Sequence, residues 1–222
     1  MAHHELVGGG DRDVWSSDPG VPCARRSDRH APACPAGESL ARIELWNGDI
    51  CDLEVDAIVN PANLSLWMST GVAGEIKRAG GDAIEFAAVR QAPVELGEAI
   101  VTPAGSLAAK VVIHAVSLDR DRRTSGEIID RAARSAIARA QELALASVAF
   151  PALGTGVGGY PLDEAARVTV RAVRDELTRS PAIDHVTFAM RGAAAYQAFE
   201  RALAETSPSA ADASAANPSV PA

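Results

Sequence analysis

The chain has 222 residues, 47% hydrophobic and 23% charged, enough to bury one full core with length left for tails. Its formal net charge of -8 excludes a protein that grips nucleic acid through a broad basic face, so an anionic ligand must be held by local backbone dipoles. No apolar run approaches the roughly eighteen residues that span a bilayer, and the N-terminus lacks the apolar core of a signal peptide; the expectation is a cytoplasmic, monomeric protein without membrane contact.

Residues 1–38 include Gly8-Gly9-Gly10, Ser16-Ser17-Asp18-Pro19-Gly20, Pro22, Pro32 and Pro35. They show no sustained periodicity and too few large apolar side chains to offset the entropy of ordering, and read as a disordered leader. Residues 206–222, rich in Ser, Ala and Pro, read as a loose tail. Cys23, Cys34 and Cys51 form no C-x-x-C pair and read as reduced thiols, with neither a disulfide framework nor a zinc site. His3 and His4 read as solvated tail residues, and neither a metal nor a cofactor is expected.

Residues 39–205 form the folded domain. The run from Ala41 to Trp46 alternates like a half-buried strand and ends at the turn Asn47-Gly48-Asp49. Residues 55–60 are a short apolar run closed by Pro61, and read as a buried strand. Residues 71–79 predict a short helix stopped by Gly80-Gly81, with Asp82 capping a second helix to about Arg90. Residues 99–102 and 110–116 read as two strands, the second rich in β-branched residues and therefore central. Thr124 and Glu127 have capping-box spacing before a long helix whose face carries Ile129, Ala133, Ala136 and Ala140. Residues 185–190 are a final strand, and Gly192 opens a last helix with Tyr196, Phe199 and Leu203. Strands alternating with helices predict an α/β protein with a mostly parallel sheet covered on both faces.

The stretch from Pro151 to Ala165 carries the chemistry. It follows the apolar run Val148-Ala149-Phe150 and leads into an amphipathic helix with Leu162, Ala166, Val170, Val173 and Leu177 on one stripe. Gly154, Gly156, Gly158 and Gly159 let backbone amides approach a ligand closely, and Pro161 suits the first helical position. Free amides and the positive end of that helix dipole then converge on an anion, a phosphate. Gly154, Gly156 and Gly159 also spell G-x-G-x-x-G, but the acidic residue due at the carboxyl end of the next strand is missing, since Asp184 precedes that strand. No Gly-Lys-Ser/Thr follows, which excludes a P-loop. Ligands of such sheets sit beyond the carboxyl ends of the strands. Asp49, Asn60, Asn63, the 153–160 loop, Met190 and Arg191 should therefore share one edge. His114, inside an apolar strand, reads as a satisfied core residue.

The ordered set Gly48-Asp49-Ile50, Val55-Asp-Ala-Ile-Val-Asn-Pro-Ala-Asn63, Thr70-Gly-Val-Ala-Gly-Glu-Ile-Lys-Arg-Ala-Gly-Gly81, Gly97-Glu-Ala-Ile-Val-Thr-Pro-Ala104 and Pro151-Ala-Leu-Gly-Thr-Gly-Val-Gly-Gly-Tyr-Pro161 resembles the macrodomain family over about residues 41–205. The resemblance implies a three-layer α/β/α module that binds ADP-ribose, alone or attached to protein, and in some members hydrolyses its linkage. It implies that Asp49 accepts from the adenine amino group, which only donates, and that the Ile50 N–H serves a ring nitrogen. Asn63 would hold the distal ribose and, in a hydrolytic member, orient it for catalysis. Ser69, Thr70, Gly71 and Val72 would form the first loop, where many relatives carry three glycines and only Gly71 remains here. Leu153, Gly154, Thr155, Gly156, Val157 and Gly158 would cradle the diphosphate, and Met190 stands where some relatives stack an aromatic on adenine. Relatives often place an aromatic at the position of Gly158, so this end should be more open.

In the best-known hydrolytic branch an aspartate follows the Gly-Val of the first loop, where this chain has Ala73; losing an acid-base group typically lowers a rate by about 10²- to 10⁴-fold. The expectation is a protein that binds ADP-ribose or mono-ADP-ribosylated protein. It would slowly free acidic side chains of mono-ADP-ribose or deacetylate O-acetyl-ADP-ribose. A non-catalytic reader and, further off, an NAD-dependent reductase are the alternatives, and strong nucleic-acid binding is not expected.

Overall fold

The computed structural model describes residues 41–206. The leader expected over residues 1–38, with Cys23, Cys34, His3 and His4, and the tail beyond Thr206 lie outside the described residues. Six strands, β1 (Arg42–Asn47), β2 (Ala57–Asn63), β3 (Ala99–Pro103), β4 (Val111–Leu118), β5 (Ser147–Phe150) and β6 (His185–Met190), form one sheet in the order β1-β6-β5-β2-β4-β3. Every neighbouring pair is parallel except β3 with β4 at the edge. The helices are α1 (Gly71–Gly80), α2 (Ala83–Val89), α3 (Gly126–Glu142), α4 (Leu162–Leu177) and α5 (Ala193–Glu205).

Alternation along each strand sorts side chains between two cores, which is why these strands read as continuous apolar runs. Ala57 and Val59 of β2, Val148 and Phe150 of β5, and Val186 and Phe188 of β6 pack with α3, α4 and α5. Ile58, Ala149 and Ala189, one residue out of phase, pack with α1 and α2. Phe188 links the first core, its ring centroid 6.1 Å from Phe150 and 5.2 Å from Phe199. The result is a three-layer α/β/α domain in which the carboxyl ends of β1, β6, β5, β2 and β4 share one edge.

Four local expectations shift. β2 continues through Pro61 to Asn63, because β5 pairs only with Ala57 and Ile58; the missing Pro61 N–H faces no strand, and Pro61 pairs with Ala115 of β4. β4 is flanked on both sides but stands next to the edge, with β5 and β2 in the middle. The cap of α3 is Ser125, whose Oγ accepts from the Ile128 N–H at 3.3 Å, and the Thr124 hydroxyl is buried without a partner among the described residues. Asp82 makes no side-chain cap bond to α2 and instead lies 3.5 Å from Lys77.

His114 is fully buried and satisfied: Asn60 Nδ2 donates to its Nδ1 at 3.0 Å, so its Nε2–H donates to Thr102 Oγ1 at 2.9 Å. Burial pushes its pKa down to about 4, and the ring is neutral at pH 7.

Candidate functional site

A cleft of about 350 Å³ runs along the carboxyl edge of the sheet. The strand order lays out its walls: Asp49 and Ile50 follow β1, Arg191 follows β6, residues 151–158 follow β5, residues 67–73 follow β2, and Arg122 follows β4.

The β1 end is built from carboxylates around one guanidinium. Asp49 Oδ1 accepts from the Cys51 N–H at 3.0 Å in the short 3-10 turn Ile50–Asp52, and Arg191 Nη2 donates to Asp49 Oδ2 at 2.7 Å. The other arm of Arg191 donates to Glu75 Oε1. Glu75 first, and Asp49 after it, hold the Arg191 pKa above its ordinary value. Desolvation, reinforced by the Asp49 charge, pushes the neighbouring Cys51 thiol up to about 12, so it stays protonated and inert. The Ile50 N–H has no intramolecular acceptor among the described residues.

The middle of the cleft is made of amides. Among the described residues, the N–H groups of residues 154–158 have no intramolecular acceptor; behind them the loop closes through Gly159 N–H to Gly156 O and Tyr160 N–H to Gly154 O, both 3.1 Å. Gly154 has φ +75°, and a Cβ there would meet Ile129 Cδ1 at 2.7 Å, so only glycine fits. At Gly156 a Cβ would meet nothing within 4 Å, because that residue faces open space.

Across from this loop α1 begins, and the N–H groups of Gly71, Val72 and Ala73 are the free donors of a helical first turn. Its cap residue Thr70 makes no side-chain cap bond, and the first turn carries no acidic residue. A helix N-terminus therefore does open on the cleft, but it belongs to α1 and not to α4 as the sequence predicted. Pro161 is the cap of α4, not its first residue. Asp163 and Glu164 already occupy that first turn, with Asp163 bound to Arg201 at 2.5 Å, so the α4 dipole is met within the protein.

Asp49, Ile50, Asn63, Ser69, Thr70, Gly71, Val72, Gly154, Thr155, Gly156, Val157, Gly158 and Met190 all border the cleft. Leu153 does not: its side chain is fully buried in the core with α3. Met190 is 1% exposed and its thioether packs in the same core, so it forms floor beneath the cleft and no stacking surface. The Asn63 carboxamide is engaged in its own turn: Oδ1 accepts from Ser65 N–H at 2.9 Å and Ser65 Oγ–H at 2.6 Å, and Nδ2 donates to Trp67 O at 3.3 Å. It holds the segment leading to α1 in place at the cleft wall.

Several lining residues carried no expected role. The sequence puts Arg191 on the edge without a partner and gives no role to Glu75, Trp67, Leu118 or Arg122. The carboxyl-end rule would have collected Leu118 and Arg122 had it been extended to β4. Glu85, in sequence only one residue of a helix, is 2% exposed; its Oε2 accepts from Met68 N–H at 2.7 Å and its Oε1 from Lys77 Nζ at 2.6 Å, anchoring the start of the loop.

Fold and cleft define a class: α/β/α domains with one mostly parallel sheet that present backbone amides to an anion at its carboxyl edge. A family model described as Macro domain matches residues 59–169, and the chain belongs to the macro domain family. It is 42% identical over 154 residues to an O-acetyl-ADP-ribose deacetylase of Salmonella typhimurium, covering 67% of this chain and 86% of that one. It is also 42% identical over 181 residues to an uncharacterized protein of Mycobacterium tuberculosis, covering 81% of this chain and 50% of that one, so the chain spans about half the length of that relative. Among solved structures, a Trypanosoma brucei macrodomain in complex with ADP-ribose superposes with a TM-score of 0.69 at 30% identity, over 75% of this chain and 72% of that one. An Oceanobacillus iheyensis macrodomain with ADP gives 0.69 at 26% identity, over 75% and 92%.

Proposed function

We propose that the cleft binds ADP-ribose, free or as the mono-ADP-ribosyl group of a protein, and that the chain slowly hydrolyses the linkage at the distal ribose. The observation that carries this reading is the facing of two sets of free amides, residues 154–158 and 71–73, across one cleft whose β1 end offers a carboxylate and the free Ile50 N–H. A purine with an exocyclic amine matches Asp49 and Ile50, a diphosphate matches the amides, and the distal ribose falls beside Asn63. Each charge-assisted amide contact contributes on the order of 1.5–3 kcal/mol, so three or four dominate the affinity. No metal or cofactor enters the scheme, and the active form is a cytoplasmic monomer. Among the described residues, no helix is long and apolar enough to cross a membrane.

The catalytic half of the reading is slow chemistry. Of the described lining residues only Asp49 and Glu75 are carboxylates, and Arg191 holds both at the purine end. Ala73 offers no acid or base beside the ribose, a lack equivalent to about 3–5.5 kcal/mol of transition-state stabilisation. Water polarised by the diphosphate attacks an ester of the distal ribose, releasing a protein carboxylate or acetate, and Asn63 keeps the ribose wall in register. The name of the Salmonella relative supports the acetate version. Those same engaged carboxylates favour a second reading, a reader that binds ADP-ribosylated partners and performs no chemistry.

Incubation with an auto-ADP-ribosylated protein separates the two. Release of label above the buffer rate, lost in Asn63→Ala, supports hydrolysis; retained label with tight binding supports the reader. Calorimetry with ADP-ribose and with NAD(H) tests the shared premise, which fails if NAD(H) binds at least as tightly.

A further inference from the structure

The cleft continues past the position assigned to the distal ribose. At its β4 end, Trp67 and Val157 are each 53% exposed and face the same space as Leu118 and Arg122. Trp67, Val157 and Arg122 come from the loops after β2, β5 and β4, and Leu118 is the last residue of β4. Trp67 spends only its backbone carbonyl on the protein, as acceptor for Asn63, and the preceding Leu66, at φ +60°, turns its own side chain into the core. The indole is thus left about half exposed at the cleft.

Arg122 is the opposite of Arg191. Arg191 is bound by two carboxylates, whereas Arg122 has no ion-pair partner among the described residues. Its loop is stiff: the Asp119 carboxylate accepts from Asp121 N–H and Arg123 N–H at 2.8 Å each, and Arg122 N–H donates to Asp119 O at 3.1 Å. Arg120 and Arg123 beside it are likewise unpaired among the described residues. In a chain of net charge -8, a free cation beside two exposed apolar side chains forms a patch that a small neutral substituent on the ribose, such as an acetyl group, would not fill.

We propose that Trp67, Val157 and Arg122 form a carrier subsite that takes the polypeptide bearing the ADP-ribose, with an acidic residue next to the modified one paired to Arg122 and an apolar neighbour lying on Trp67 and Val157. The proposal rests on the ADP-ribose reading of the adjoining cleft. Charge complementarity selects an acidic peptide over a basic one, and an exposed indole with an isopropyl group supplies apolar contact at small conformational cost.

Calorimetry on the full chain tests it with three ligands: ADP-ribose, a mono-ADP-ribosylated peptide with Asp and Glu flanks, and the same peptide with Lys flanks. The acidic peptide is expected to bind about tenfold more tightly than ADP-ribose, and the lysine peptide no more tightly. Arg122→Asn, chosen because Asn tolerates the left-handed backbone (φ +62°) of that position, is expected to cut the gain to about threefold, and Trp67→Ala to remove most of the rest, with ADP-ribose itself bound within about twofold of wild type by both. Equal binding of the acidic and lysine peptides by wild type, or a gain that survives both substitutions, overturns the subsite. If ADP-ribose binds and the peptides add nothing, only the subsite falls. If ADP-ribose does not bind at all, the underlying reading falls and takes the subsite with it.

Discussion

Gly156→Ala separates folding from ligand binding more cleanly than any other change in the cleft. Gly156 does not have a left-handed φ, and a Cβ built there meets nothing within 4 Å, so the methyl group strains no part of the protein. The unfolded chain loses some freedom, and stability should rise by about 0.4–1 kcal/mol. With a diphosphate in the cleft the same methyl occupies the space between phosphate oxygens and the amides of residues 155–157. Loss of two charge-assisted bonds, at about 1.5–3 kcal/mol each, amounts to roughly 3–6 kcal/mol, or about 10²- to 10⁴-fold in Kd. Gly158→Ala is the contrast: its Cβ would lie 2.6 Å from Gly154 O and 2.7 Å from Leu118 Cδ2, so the loop must shift and both stability and affinity should drop. Thermal melting and calorimetry with ADP-ribose on both variants are the measurements. Binding by Gly156→Ala within about twofold of wild type would place the diphosphate elsewhere and refute the amide cradle.

Three further outcomes follow from named contacts. Asp49→Ala should weaken ADP-ribose by about 10- to 100-fold while leaving the hypoxanthine analogue, which lacks the exocyclic amine, nearly unaffected; equal losses for both ligands would remove Asp49 from purine recognition. Glu85→Ala leaves the Met68 N–H without its acceptor at a site 1% exposed, and chemical denaturation should show a loss of about 1–3 kcal/mol, part of it restored in Glu85→Gln, whose amide oxygen still accepts. His114 has its pKa lowered from 6.5 to about 4, so the unfolded state binds the extra proton first. Stability from this group is complete above about pH 6.5 and is lost as pH falls toward 4, in all by roughly 3 kcal/mol, and His114→Gln should flatten that part of the denaturation profile relative to wild type.

How far the fold was legible depends on the range of the interactions that make it. Residues 148–150 are apolar on both faces because both faces are covered, and a buried strand of a parallel sheet follows from that pattern. The shared edge followed in turn, bringing Asp49 and Asn63 together with the glycine loop. The engagement of Asn63 is local, within four residues, and an Asx turn after Pro61 is visible in the sequence. The Arg191 clamp is not: its partners Asp49 and Glu75 lie 142 and 116 residues away, and nothing near Arg191 announces them. The mistaken assignment of the helix dipole has the same origin. The glycine loop and α4 are adjacent in the chain, but Tyr160 and Pro161 stand between the free amides and the first turn, and only the spatial neighbour α1, some eighty residues earlier, points its donors into the cleft.

That substitution of one helix for another resolves a tension in the composition. A protein of net charge -8 repels a diphosphate at long range, and the only cation among the described residues lining the purine end is already bound by two carboxylates. Attraction must therefore come from groups that act at contact distance and carry no net charge. Amide dipoles do this, and they are preorganised here because Gly154 in its left-handed conformation and the unfilled first turn of α1 fix their direction before any ligand arrives. Had α4 supplied the dipole, Asp163 and Glu164 in its first turn would have opposed the anion. The acidic residues of this chain are tolerable beside a diphosphate because the two described carboxylates that border the cleft, Asp49 and Glu75, are both engaged by Arg191, which offsets one of their two charges, and the one free cation among the described lining residues, Arg122, stands at the far end, where the cargo of the ribose would emerge.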